Sequence, residues 1–156
     1  GDMFDHACVV YEYESGARLY ALCRTTNNCY NNSGDYIMGT KGSCNLSRCE
    51  ITGENPWRFD GERTSPYLIE QGELVKAVKS GNPINCGDYM AKSTMVGILG
   101  QIAAYQGNAV TYEDAYNSDL EFGPSPDESN FDTPAPSEPD ATGNYPIPQP
   151  GMARFI

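Results

Sequence analysis

The strongest constraint on the fold lies near the start of the chain, where two apolar segments flank a short polar turn. The first segment reads Val9-Val10-Tyr11-Glu12-Tyr13-Glu14, the second begins Ala17-Arg18-Leu19-Tyr20, and Ser15-Gly16 lies between them. Alternation with a period of two predicts strands, and a Ser-Gly pair between such segments predicts a two-residue hairpin turn. We therefore predict antiparallel strands over residues 7–14 and 17–24.

A two-residue turn would also fix the register of this hairpin. Glu14 would pair with Ala17, and counting outward places Cys8 opposite Cys23. Such a pair would be hydrogen-bonded, with α-carbons about 5.5 Å apart but with side chains held away from each other. Bridging them would require strain, so we expect both thiols to be reduced.

Both faces of the predicted hairpin are substantially apolar. Ala7, Val9 and Tyr11 lie on one face, whereas Cys8 and Val10 lie on the other. A sheet with one solvated face alternates more cleanly than this. We expect helices to cover one face and something other than solvent to cover the other.

The rest of the chain predicts further strands, three helices and a tail. Strands are expected at residues 36–38 and 43–52 and near Trp57, with a polar loop at residues 25–33. Ser65-Pro66 and Gly81 mark the start and the end of the first helix. The second helix, from Asp88 to Gly107, is apolar around its circumference and should be buried. Thr111 begins a short capped helix that should run to about residue 117. We assign residues 1–122 to a sheet-and-helix domain. Residues 123–156, rich in proline and acids, form a tail expected to dock on that domain through Tyr145, Ile147, Met152 and Phe155.

The charge distribution excludes one class of partner. The formal net charge is −11, and neither Lys nor Arg occurs between Ser93 and Ala153. Nucleic-acid affinity depends on neutralising phosphates, so we expect no nucleic-acid partner. The acidic carboxy-terminal part is interpreted as a solvated tail, and the alternatives are an acidic partner surface and a cation site.

The cysteines and the hydropathy narrow the function classes further. Six cysteines occur without a C-x-x-C spacing, and the chain has one histidine, so a zinc site of the usual spacing is not expected. Free thiols are preferred over disulfides, because a chain of 156 residues can build its own core. No apolar stretch is long enough to cross a membrane.

Several phrases, in their order and spacing, resemble the carboxy-terminal domain of the glucose–fructose oxidoreductase/inositol dehydrogenase/MocA family. They are Tyr11-Glu12-Tyr13-Glu14-Ser15-Gly16, Gly39-Thr40-Lys41-Gly42, Gly81-Asn82-Pro83-Ile84-Asn85, Ala91-Lys92-Ser93-Thr94-Met95 and a bacterial-type ending at Tyr145-Pro146-Ile147-Pro148-Gln149-Pro150-Gly151. The resemblance implies an α+β domain with a large, open, mainly antiparallel sheet. One face would pack on helices, and the other would meet a second subunit.

The same resemblance implies that the chemistry lies elsewhere in the parent enzyme. The family binds NAD or NADP in an amino-terminal Rossmann domain, whose G-x-G-x-x-G fingerprint is missing from this sequence. We therefore assign no catalytic, cofactor or metal residues and expect the chain alone to be inactive. Asp2 and His6 have the spacing of the family's D-x-x-x-H motif, but we interpret His6 as a residue at the start of a strand.

The resemblance also gives a candidate substrate site in the polar loop, where inositol dehydrogenase-like members contact their substrates. Sugars and cyclitols need neutral donors and acceptors and an aromatic face. The predicted substrate-binding residues are Arg24, Asn28, Tyr30, Asn31 and Asn32.

Two functional hypotheses follow. The first is the substrate-binding and oligomerisation domain of an NAD(P)-dependent oxidoreductase, or the matching part of an NAD-dependent glycosidase. The second is a stand-alone, non-catalytic carbohydrate-binding or assembly module. The expected partners are a second copy of the chain, bound through the sheet face, and a sugar-like small molecule in the intact protein. The bacterial cytoplasm and periplasm are both open as compartments.

Overall fold

The computed structural model describes residues 3–121, 123–135 and 137–156. It confirms the α+β class, but the single large sheet is wrong, because the strands form two small antiparallel sheets. One sheet pairs β1 (His6–Glu12) with β2 (Arg18–Arg24). The other has the order β3-β4-β5-β6 and consists of Tyr36–Met38, Gly42–Asn45, Glu50–Gly53 and Trp57–Arg58. The helices are α1 (Pro66–Ser80), α2 (Gly87–Gln106) and α3 (Tyr112–Tyr116).

The chain divides into two compact units. Residues 1–26 and 86–156 form the terminal unit, which holds β1, β2, α2, α3 and the tail. Residues 27–85 form the middle unit, which holds β3–β6 and α1. The predicted boundary between residues 122 and 123 reflects composition and stays a prediction.

The predicted register of the β1–β2 hairpin is wrong by one residue. The Tyr13 N–H donates to the Ala17 carbonyl (3.0 Å), and the Gly16 N–H donates to the Tyr13 carbonyl (2.8 Å). The loop therefore has three residues, and Gly16 ends it with φ +82°, a left-handed conformation that favours glycine. Cys8 consequently lies opposite Leu22, and Cys23 lies opposite Ala7. All six cysteines are free, which confirms the expectation of reduced thiols.

The predicted strand over residues 43–52 is also wrong, because a turn divides it into β4 and β5. The Asn45 side-chain oxygen accepts from the Arg48 N–H (3.1 Å), and the Cys49 N–H donates to the Leu46 carbonyl (3.0 Å). Cys49 takes φ +51°, which reverses the chain. An asparagine that bonds the backbone three residues ahead favours a turn over an extended strand.

The helix boundaries agree with the sequence signals. Pro66 begins α1, and Gly81 ends it with φ +68°. The Thr111 hydroxyl accepts from the Asp114 N–H (3.1 Å), as the capping pattern of α3 predicts. The predicted burial of α2 holds only for part of its second half, where Gly100, Ile102 and Gln106 are buried.

The core lies in the terminal unit, where α2 packs against β1. The Tyr11 hydroxyl donates to the Val96 carbonyl of α2 (2.9 Å). The side-chain oxygen of Gln106 accepts from the backbone N–H groups of Phe155 (3.0 Å) and Ile156 (3.3 Å), and so holds the tail on α2.

The tail therefore docks, but not through all of its predicted anchors. Phe155 is partly buried and contacts the ring of Tyr105 edge-on. Ile147 and Met152 are mostly exposed and do not serve as anchors. Backbone hydrogen bonds to one buried glutamine replace much of the apolar contact that the sequence suggests.

Candidate functional site

The predicted substrate-binding residues fall into both units. Arg24 ends β2 in the terminal unit, directly opposite His6. Asn28, Tyr30, Asn31 and Asn32 lie in the middle unit, in the connection that precedes β3. The structure thus places three amides and one aromatic ring in a single exposed segment, and it places Arg24 in the other unit.

This polar segment exposes the groups that a polyol needs. Asn28 has φ +58°, a left-handed conformation that asparagine tolerates better than most residues. Tyr30 is 84 % exposed, so most of its ring is open to a ligand. Amides supply donors and acceptors for hydroxyl groups, and an aromatic ring accepts the C–H surface of a sugar.

The outer face of the β1–β2 sheet has an apolar centre and a polar margin. Directly opposite residues of a sheet point to the same face, which places Cys8 with Leu22 and Val10 with Tyr20. We call these four residues the hairpin face. Its Leu22 is 73 % exposed, and the ion pair between Arg18 and Glu12 (2.8 Å) borders it at the turn. An apolar centre with a charged rim is the usual anatomy of a protein interface.

The sheet of the middle unit carries a second uncovered apolar surface. One residue from each strand joins a continuous row across the sheet, which we call the apolar row: Ile37, Cys44, Ile51 and Trp57. Ile37 and Trp57 are 58 % and 54 % exposed. The opposite face is mixed: it carries Asn45, Glu50 and Arg58 together with the exposed Tyr36 and Met38. Sequence reasoning missed this row because it read β4 and β5 as one strand, which destroys the cross-strand pairing.

Helix α1 adds a third apolar surface to the middle unit. Leu68, Leu74, Val75 and Val78 share one side of the helix and are all exposed. Of residues 27–85, all of which are described, only Ala77 is buried. The helix packs against none of β3–β6. The middle unit therefore exposes apolar surface in the places where a domain normally keeps its core.

The described residues supply few groups for chemistry. The described histidine, His6, pairs with Asp5, and the Nδ1 and Oδ1 atoms of the two side chains lie 2.6 Å apart. This hydrogen bond lowers the pKa of the Asp5 carboxyl, and both side chains are exposed. Asp2 of the D-x-x-x-H spacing lies outside the described residues. In the described part of the chain no group of three or more His, Cys, Asp or Glu side chains is placed to hold a metal ion, and no helix there is long and apolar enough to cross a membrane.

The described residues do not form a Rossmann-type dinucleotide site. Such a site needs a parallel strand–turn–helix–strand unit with a glycine-rich turn at the helix start. Every strand pairing within residues 3–121, 123–135 and 137–156 is antiparallel, and α1 and α2 begin at Ser65-Pro66 and Cys86-Gly87. No protein-family model, curated protein or solved structure matches the chain.

Proposed function

We propose that this chain is the substrate-binding and assembly domain of an NAD(P)-dependent oxidoreductase that acts on a sugar or cyclitol. The uncovered apolar surface on both sheets carries this proposal. A domain that leaves the hairpin face and the apolar row in water gains free energy when protein covers them, at about 25 cal/mol per Å² of apolar area. The sequence resemblance gives the class of the parent enzyme, and polypeptide outside this chain would hold the nicotinamide cofactor.

Assembly is the first testable part of the proposal. We expect light scattering at micromolar concentration to give a mass above the 17.0 kDa of one chain. Leu22→Lys on the hairpin face and Ile37→Lys on the apolar row should each reduce that mass. Thr52→Lys is the matched control, because Thr52 is exposed on the other face of the same sheet as Ile37. A wild-type chain that stays monomeric at every concentration would contradict the proposal.

Substrate binding is the second testable part. In a ¹⁵N-resolved spectrum, titration with myo-inositol or glucose should shift the signals of Asn28, Asn31 and Asn32. Tyr30→Ala should weaken binding by removing the exposed ring. Mannitol and glycerol at equal concentration serve as controls for unspecific polyol effects. Shifts spread evenly over the chain, or none at all, would contradict a sugar site in this segment.

A non-catalytic carbohydrate-binding module is the second candidate, and one observation favours it. The ring centroids of Trp57 and Phe59 lie 6.5 Å apart, and both side chains are partly exposed. Aromatic side chains on an exposed sheet face can stack on sugar rings. Trp57 is the single tryptophan of the chain, so its fluorescence reports this surface alone. Saturable quenching by a soluble polysaccharide, with no effect of inositol on residues 28–32, would favour this candidate over the first.

A further inference from the structure

The outer edge of β1 presents a row of backbone groups that β2 does not use. The Thr25 N–H donates to the Asp5 carbonyl, and the Tyr13 N–H donates to the Ala17 carbonyl. These bonds fix which residues of β1 bond to β2, because that role alternates along an antiparallel pair. His6, Cys8, Val10 and Glu12 therefore direct their N–H and C=O groups away from β2. Among the described residues, no strand pairs with that edge.

Helix α2 lies against β1, on the face that carries Val9 and Tyr11. It packs against β1 but not against β2, although the structure describes every residue of all three elements. A groove with a volume of about 500 Å³ lies beside β1. It is lined by residues 8–12 of β1, by Leu99, Ala103 and Ala104 of α2, and by residues 107–110, which follow α2. A helix is about 10 Å across and strands are about 4.8 Å apart, so α2 leaves space for one more strand beside β1.

The central part of β1 contains nothing that would block pairing at this edge. Proteins protect exposed edges with proline, charge or bulges. Residues 7–11 contain neither proline nor a charged side chain. Among the described residues, Glu12 is the only charged one that lines the groove, and it pairs with Arg18; the terminal unit as a whole carries fourteen acidic and four basic residues.

We propose that the outer edge of β1 is a strand-addition site for an extended, basic polypeptide segment. Its backbone would bond to residues 6, 8, 10 and 12, and its alternate small apolar side chains would pack under α2. We expect the added segment to be basic, because the groove lies in a unit with a net charge of −10. A second copy of this chain does not fit that description, since it carries the same acidic charge and its own α2 above its own β1. The proposal is independent of the oxidoreductase assignment.

Two synthetic peptides test the site. The first reads Lys-Thr-Val-Thr-Val-Thr-Lys with blocked ends, and the second has Glu in place of both Lys residues. At saturation the first peptide should slow amide hydrogen exchange at Cys8, Val10 and Glu12 by at least about tenfold. Exchange at Tyr20 and Leu22, which occupy the outer edge of β2, should stay within about twofold. The Glu-ended peptide should bind at least about tenfold more weakly.

A matched pair of proline variants locates the contact. Val10→Pro removes an N–H group from the outer edge of β1, and Tyr20→Pro removes one from the outer edge of β2 at the directly opposite position. Neither N–H serves the β1–β2 pairing, so the hairpin keeps its ladder. Val10→Pro should weaken peptide binding at least about tenfold, while Tyr20→Pro should leave it within about twofold. A Lys-ended peptide that is N-methylated on its bonding edge should fail on the unmodified protein, which covers the case of a misfolded variant.

Three outcomes would overturn the proposal. One is the lack of protection at Cys8 and Val10 with either peptide. Another is equal protection of both hairpin edges, and the third is protection at Cys8 and Val10 that rises with protein concentration, without peptide, in Leu22→Lys, whose hairpin face should not assemble. The last result would show that a second copy fills the edge. Peptide binding by a wild-type chain that stays monomeric at every concentration would show that the strand site stands even though the assembly proposal fails.

Discussion

The two units of this chain differ in how many side chains they bury. The terminal unit buries Ile102, Ala115 and Gln106 around the junction of β1, α2 and the tail. The middle unit has 59 residues and buries only Ala77 among them. A domain of about 60 residues normally buries roughly 60 % of the surface of its unfolded chain. The middle unit has complete secondary structure but no comparable interior.

The unit that buries more side chains also carries nearly all of the net negative charge. Residues 27–85 contain seven acids and six bases, a net charge of −1, and the rest of the chain has fourteen acids and four bases, a net charge of −10. Apolar surface that must meet another protein is best placed where electrostatic repulsion is weak. The comparison indicates that the terminal unit stabilises itself, whereas the middle unit depends on what covers it.

The first test of this comparison is the stability of each unit by hydrogen exchange. In dilute protein, the amides of Ile102 and Gln106 in α2 should exchange at least about 100-fold more slowly than those of Cys44 and Ile51. The reason is that only the former lie in a packed core. Raising the protein concentration should reduce the gap if assembly covers the middle unit. Equal protection of both units in dilute protein would break the comparison.

A matched pair of isoleucine variants gives the next largest effect. Ile102→Ala should lower the free energy of unfolding by about 2–5 kcal/mol, because this side chain is 1 % exposed and its removal leaves a cavity. Ile69→Ala in α1 should change it by less than about 0.5 kcal/mol, since Ile69 is exposed. Urea denaturation followed by circular dichroism measures both. A comparable loss from Ile69→Ala would show that α1 is packed.

The tail of the terminal unit should depend on one amide group. Gln106→Leu removes the acceptor for the Phe155 and Ile156 N–H groups and should cost about 1–3 kcal/mol. Exchange of those two amides should accelerate. Gln101→Leu is the control, because Gln101 lies exposed on the same helix. If the tail amides exchange equally fast in both variants, Gln106 does not hold the tail.

Two glycines of α2 should respond with opposite signs. A methyl group at Gly100 would collide with the Tyr11 hydroxyl, whereas Gly97 faces open space. Gly100→Ala should lower the free energy of unfolding by about 1–3 kcal/mol through overpacking. Gly97→Ala should raise it by up to about 1 kcal/mol through helix propensity. Thermal melts of both variants decide the point, and stabilisation by Gly100→Ala would contradict the described junction.

The smallest expected effect is a pH dependence at the same junction. Desolvation raises the pKa of Tyr11 above its ordinary value of 10.0. The folded chain then retains a proton that the unfolded chain releases, so stability should fall as the pH rises above about 10. Absorbance at alkaline pH should show one late-titrating tyrosine that is missing in Tyr11→Phe. Identical titration of the two proteins would exclude a desolvated Tyr11.

Local signals in the sequence predicted the helices well. Pro66 and Gly81 mark the start and the end of α1, and Thr111 marks the start of α3. Each of these residues affects only the backbone within a few residues of itself. Turns whose reversal depends on one left-handed residue were harder to predict. Gly16 adds a third residue to the first hairpin, and Cys49 reverses the chain inside an apparent strand. A shift of one residue changes the partner of every side chain in a hairpin, which is why the Cys8 pairing was wrong.

The surfaces depend on information that is not local. The hairpin face was partly foreseen because both faces of residues 7–24 are apolar. The apolar row requires the register of four strands, and the edge groove requires the position of α2 relative to β1 and β2. Neither follows from periodicity, because periodicity gives the exposed side of one element and not its neighbours. The substrate role of the polar segment stays a prediction.

The apolar row contains its own chemical reporter. Cys44 lies in the row between Ile37 and Ile51, and it is a free thiol. A thiol at such a position reacts with a small alkylating reagent when the row is open and is shielded when protein covers it. The extent of alkylation at Cys44, read by mass spectrometry against exposed Cys29 in the same unit, therefore measures the occupancy of this surface without any added label.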